Sequence, residues 1–471
     1  MSNIEQLAAS ALNGTILEKI VRQRQQRITE LYQTYEVEEL RAQLQPSQRS
    51  LADALAQPGS GFILECKKAS PSKGLIRADF NPVSIARSYA PYAAAISVLT
   101  EPDFFQGQFD YLAAVSAAVS QPVLCKDFII DPVQIYLARY YGADAILLML
   151  SVLDDERYQQ LAAVASALNL DILTEVSNDQ EMARAARLKA TIIGINNRDL
   201  RDLSIDIERS QRLSEKAPAG ALIVAESGYQ NNHQIRTSAP FVDGFLIGSA
   251  LAAQDDIDWA CRALLYGEHK VCGIRQAATA HVAQAVGACY GGLIFAEQSP
   301  RCVSLEQARN IIAAEPSLRW VGVFNHGDVN QLLAVAQQLP FYALQLHGDW
   351  PAESFQAIKQ SLPEIALWRA LPVTAVPQLT QPEVDRYVLD NGAGGSGECF
   401  DWRHLAPLST ADKQRCQLAG GLNASNIDNA LAQACAGLDI NSGVERQRAE
   451  KDAARLSQVF ARIRYYGRED V

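Results

Sequence analysis

At 471 residues the chain is too long for one ordinary domain, and with 48% hydrophobic and 20% charged residues it can bury a large core and excludes long disorder. A net charge of −11 argues against nucleic acid or an anionic membrane as partner, so an anionic ligand would need locally basic pockets. Nine dispersed cysteines, no zinc-like His/Cys spacing, no apolar N-terminal segment and no bilayer-length run predict a soluble cytoplasmic protein without a metal. Residues 1–55 read as helical, with Thr15 capping a helix through Leu17, Ile20, Val21 and Ile28, as a lid or plug on a barrel. From there β-rich runs alternate with helical patterns such as 133–141, 155–168 and 179–188. Strands are expected at 61–68, 93–100, 122–128, 143–150, 170–176, 192–198, 222–228 and 244–250. Residues 251–267 read as a charged connecting helix, and the rhythm restarts at 269–274, 290–295, 319–324, 343–348, 364–370, 386–391, 416–422 and 437–443. This predicts an α/β protein of two (β/α)8 barrels of the TIM type in tandem, 1–267 with a helical extension and 268–471. A doubly wound open sheet would want fewer strands and a glycine fingerprint after the first one, which is absent.

In a parallel barrel the C-terminal strand ends carry the chemistry. Glu65 and Lys67 lie two apart at the exit of strand one and so face one space. Lys126 ends strand three, Glu175 strand five, Asn196 and Arg198 strand six, and Glu226 strand seven. Charges near a barrel axis must pair, which spreads their pKa values and supplies an acid and a base in one pocket. A lysine among carboxylates stays protonated and donates to a carbonyl oxygen. Barrels hold phosphate after strands seven and eight, where Ser227-Gly228 and Gly248-Ser249 stand in the first half. Gly420-Gly421 and Ser442-Gly443 take the matching places in the second. There, Cys272 ends strand one, Arg301 follows strand two, His347 ends strand four and Asp390 strand six. A thiolate facing an aspartic acid forms a base/acid pair for removing a C–H proton and protonating a leaving ring oxygen. Each residue alone has a bland reading: a rim ion pair, a buried small thiol, a hydrogen-bonded structural histidine. The recurrence of charged exits around each ring outweighs those readings.

The motifs F-I-L-E-C-K-K-A-S-P-S-K-G, L-C-K-D-F-I-I-D, L-T-E-V-S-N, G-I-N-N-R-D-L, A-E-S-G and F-L-I-G-S-A resemble the indole-3-glycerol phosphate synthase family over residues 1–255. The resemblance implies ring closure of 1-(2-carboxyphenylamino)-1-deoxyribulose 5-phosphate with loss of carbon dioxide and water. It implies Lys126 as general acid, Glu175 as partner acid/base, Glu65 positioning Lys126, and Lys67 on the anionic end of the substrate. Asn196, Arg198 and Glu226 would hold the substrate, Phe128 would pack on its aromatic ring, and Ser70, Gly228, Gly248 and Ser249 would surround the phosphate. From residue 268 on, V-C-G, S-P-R, Q-L-H-G, L-D-N, G-G-S-G, F-D-W and G-L-D-I-N-S-G-V-E resemble phosphoribosylanthranilate isomerase. That implies an Amadori rearrangement of N-(5-phosphoribosyl)anthranilate, whose product is the first half's substrate. Cys272 would be the base, Asp390 the acid, Arg301 the clamp on the anthranilate carboxylate, and Gly421, Ser442 and Gly443 the phosphate loop. His347 falls in the site without an assigned role. One departure stands out: Arg275-Gln276 and Thr279 replace the family's Thr-Arg and Asp. It supports the alternative that only the first half is active and the second barrel is structural. A non-catalytic phosphate sensor would leave the acid–base clusters unexplained, and a histidine-pathway isomerase would want paired aspartates. The expectation is a bifunctional tryptophan-biosynthesis enzyme, monomeric, acting without cofactor on small phosphorylated anthranilate–ribose substrates.

Overall fold

The computed structural model describes residues 14–325, 327–392 and 399–468. These divide into two compact units: residues up to Gln230 with Gln234–Asp258 and those from Tyr466, and Asn231–His233 with Trp259–Tyr465.

In the first unit eight parallel strands close a barrel: β1 (Gly61–Cys66), β2 (Ala95–Leu99), β3 (Val123–Lys126), β4 (Ala145–Met149), β5 (Asp171–Val176), β6 (Ile192–Asn196), β7 (Leu222–Glu226) and β8 (Gly244–Ile247). The strands are near-continuous apolar runs because helices cover one face and the barrel core the other. Pairing sets Leu99 beside Lys126, Met149 beside Glu175 and Asn196 beside Glu226, so the charged exits form one ring. Among the described residues the lead-in forms the helices α1 (Ile16–Thr34), α2 (Val37–Gln43) and α3 (Leu51–Leu55), and 44–50, expected to be helical, is not. Thr15 caps α1 by accepting from the Glu18 N–H at 3.2 Å. Leu17, Ile20 and Val21 join the core cluster that also takes in Leu124, Leu147 and Leu173. Leu51 and Leu55 plug the opposite end, Leu55 packing on Gly61 and Gly244 where β1 and β8 begin.

The second unit closes a second barrel from β9 (Lys270–Val271), β10 (Tyr290–Ile294), β11 (Arg319–Asn325), β12 (Ala343–His347), β13 (Ala366–Pro372), β14 (Arg386–Asp390), β15 (Cys416–Leu418) and β16 (Gly437–Ile440). All sixteen strands fall inside the expected runs, apart from one- or two-residue overhangs. Two further expectations need correction. The connecting helix is two helices, Ser249–Ala252 and Ile257–Leu265, with Asp256 just before the second, where a carboxylate favours a helix start. No helix follows β13, because Pro377 and Pro382 break the segment between it and β14. Two short hairpins went unforeseen: Ala69–Ser70 with Gly74–Leu75, and Glu445–Gln447 with Glu450–Lys451. The glycine-dense loop at 391–397, with its G-G-S-G motif, lies mostly outside the described residues.

Candidate active sites

At the mouth of the first barrel, a narrow cavity of about 90 Å³ is lined by both charged and apolar groups. Its polar lining includes Glu65, Lys67, Lys126, Glu175, Asn196 and Arg198; its apolar lining includes Ile16 and Ile20 of α1, Phe105 and Phe128. Lys126 Nζ lies 2.9 Å from Glu226 Oε2 and 3.5 Å from Glu65 Oε2. Glu65 also binds Lys67 at 2.9 Å. Burial disfavours the Lys126 ammonium, but Glu226 and Glu65 outweigh it and hold the lysine more firmly protonated than usual. Glu65 is likewise penalised by burial, yet Lys67 and Lys126 keep it ionised below the usual carboxylate range. Glu175 goes the other way: burial, reinforced by Glu226, pushes it up to about 8 while Asn196 Nδ2 donates to it at 3.2 Å. One lysine and one carboxyl group on one cavity are therefore both proton-bearing at neutral pH. Glu226 is fully buried beneath Lys126 and is absent from the cavity lining.

Ser70 and Ser227 line the same cavity, and Ser227 holds a left-handed φ of 69° that a serine adopts only where its surroundings impose it. Gly248 adjoins Glu65 so closely that a Cβ there would sit 2.4 Å from Oε1. Gly228 and Ser249 sit at the ends of β7 and β8, outside the lining. Sequence reading missed the Arg24–Asp127 pair, in which Arg24 of α1 grips Asp127 through two bonds of 2.8 and 2.5 Å. It also missed Glu101, which ties down the turn carrying Phe105 by accepting from the N–H groups of Asp103, Phe104 and Phe105.

The second barrel opens on a wider cavity of about 390 Å³, whose lining includes Cys272, Arg301, His347, Asp390, Gly421 and Ser442. Gly443 lies just outside it. Burial raises the Cys272 thiol, and Lys270 pulls it back down. Burial also raises Asp390, against the Asn391 N–H that donates to it at 2.8 Å. His347 is pushed down to about 4 by burial and by Lys270, so it is neutral, with Gln345 Nε2 at 2.6 Å from its Nε2. Arg301 does not stand alone: Glu445 grips its Nε and Nη2 at 2.7 and 2.9 Å, and Glu445 also binds Lys451 at 2.6 Å. Lys270, Asp439, Glu445 and Lys451 were not foreseen. Lys270 and Asp439 could have been, since each lies two residues before a named site residue or its neighbour in the same loop and so on the same side of its strand.

Residues 17–264 match the family model for indole-3-glycerol phosphate synthase, and residues 269–462 that for N-(5'phosphoribosyl)anthranilate isomerase. A tryptophan biosynthesis protein TrpCF from Salmonella typhi is 50% identical over 454 residues, covering 96% of this chain and 100% of that protein. The chain belongs to the TrpCF family. TrpCF proteins of Yersinia pestis and Vibrio cholerae are 51% and 47% identical, over 89% and 97% of this chain and 88% and 97% of theirs. Like the family, the chain is a bifunctional enzyme of tryptophan biosynthesis with a lyase domain followed by an isomerase domain. The matches favour this over the reading in which the second TrpCF barrel is only structural. No helix among the described residues is long and apolar enough to cross a membrane.

Proposed function

We propose that Lys126 protonates the carbonyl oxygen of 1-(2-carboxyphenylamino)-1-deoxyribulose 5-phosphate as the indole ring closes, and that Glu175 serves the subsequent dehydration. Three features support this reading. Lys126 is held as an ammonium by Glu226 and Glu65; it shares one cavity with the protonated Glu175; and Phe105 and Phe128 offer apolar lining for the aromatic ring. Glu65 and Glu226 position Lys126, while Lys67, Asn196 and Arg198 receive the polar parts of the substrate. Ser70, Ser227, Gly228, Gly248 and Ser249 receive its phosphate.

In the second barrel Asp390 protonates the ring oxygen of N-(5-phosphoribosyl)anthranilate, and Cys272 removes the C–H proton that completes the Amadori rearrangement. Arg301, oriented by Glu445, takes the anthranilate carboxylate; Gly421, Ser442 and Gly443 take the phosphate; His347 lines the site as a neutral group. The working division is 1–267 for ring closure and 268–471 for isomerisation, in a cytoplasmic monomer acting on phosphorylated metabolites and not on nucleic acid or membrane. The observation carrying the whole is the presence of one acid–base set on each barrel's cavity. The test is incubation with N-(5-phosphoribosyl)anthranilate: indole absorbance should appear with the wild type, stop at the rearranged intermediate with Lys126→Ala, and stop at the starting material with Cys272→Ser. Indole formation by both variants would sink the assignment.

A further inference from the structure

Below the isomerase cavity lies a lysine that the acid–base roles of Cys272 and Asp390 leave unused. Lys270 is fully buried, two residues before Cys272, so both side chains point into the barrel. Its ammonium lies 2.8 Å from Asp439 Oδ2, carried by the residue directly across from it in register on β16. The Cys272 thiol lies near enough to feel the ammonium, which pulls it down against burial. Gly292 of β10 makes room for the pair, since a Cβ there would sit 2.9 Å from both Cys272 Sγ and Lys270 Cε. An ammonium carries three donors, so Asp439 can anchor it and still leave it able to serve the sulfur.

We propose that Lys270 is the positioning cation of the isomerase base: anchored by Asp439, it fixes the Cys272 sulfur and stabilises its thiolate. This rests on Cys272 being the base. In the step it assists, the thiolate bonds the proton on the carbon next to the iminium carbon of the ring-opened substrate. The C–H electron pair becomes the enamine double bond, and the iminium nitrogen is neutralised. Lys270 keeps its own protons throughout. Other charged groups face the sulfur as well. Asp439 on β16 opposes the thiolate; Lys451 of the C-terminal hairpin and Arg301 after β10 favour it, though both are engaged by Glu445. Asp390 and the neutral His347 share the cavity.

The test uses the full chain with Lys270→Met and Lys270→Gln, the latter keeping a donor for Asp439 should the former fail to fold. Isomerase kcat/KM is followed from about pH 5 to 10, with the circular dichroism spectrum and the denaturation midpoint of the second unit as the control for folding. We expect the acid limb to move up by about one pH unit or more, equivalent to a roughly tenfold loss at neutral pH, with alkylation of Cys272 by iodoacetamide slowed in parallel. A structural role alone would lower the rate without moving the limb. A folded variant whose limb stays at the wild-type pH overturns the proposal. If instead Cys272→Ser isomerises like the wild type, the base assignment fails first, which is a separate result.

Discussion

Lys126 is a mostly buried ammonium paired with Glu226 and Glu65, and its proposed role depends on their positions. Lys126→Ala should cut ring closure by roughly 10³, the range expected when a positioned acid is lost, read from indole absorbance with the purified intermediate. Retention of most of the kcat would take Lys126 out of that role. Glu175, pushed up to about 8, bears its proton below that pH and loses it above. If it delivers a proton, ring closure declines as pH rises through about 8, and the residual activity of Glu175→Gln lacks that decline. Because His347 is pushed down to about 4, isomerisation should show no inflection near the ordinary imidazole value of about 6.5. The residues legible in the sequence were those at strand exits, where charge interrupts an apolar run just before a turn. Lys270 was legible only through its place two residues before Cys272, because a lysine at a strand start otherwise reads as a solvated strand entry. Arg24 was hidden for another reason: nothing local ties an arginine on an amphipathic helix to a carboxylate 103 residues away.

At the scale of elements, α1 is fastened to the working strand β3 through Arg24 and Asp127. Asp127, which also accepts from Thr100 Oγ1 at 2.6 Å, would keep a buried charge without its cation in Arg24→Met. Breaking a buried pair costs about 3–5 kcal/mol, so the denaturation midpoint of the first unit should fall. Ring closure should weaken too, since Ile16 and Ile20 of the same helix line its cavity, while isomerisation is untouched. An unchanged midpoint would mean that α1 is held by its apolar face alone. Strand periodicity was legible throughout because parallel strands covered on both faces must be continuously apolar. Helix continuity was less so. The segment after β13 keeps strand spacing but carries prolines, and the tandem-barrel rhythm alone suggested a helix that they forbid.

For the whole molecule, the acid–base set proposed for each barrel lines that barrel's own cavity. An equimolar mixture of Lys126→Ala and Cys272→Ser chains should therefore make indole product from N-(5-phosphoribosyl)anthranilate after a lag while the intermediate passes through solution. No product from the mixture, with each single activity intact, would mean that the two halves work only within one chain. The two-barrel plan itself was readable from sixteen spaced apolar runs, whereas the break in the connecting helix falls in a short charged stretch that reads equally well as helix.

The carboxylate pair about Lys126 has one further consequence. An ammonium held so firmly has no lone pair, so it cannot condense with the ketone of the substrate. Borohydride added during turnover should leave no reduced adduct on the peptide containing Lys126, which sets this lysine apart from those that work through covalent imines.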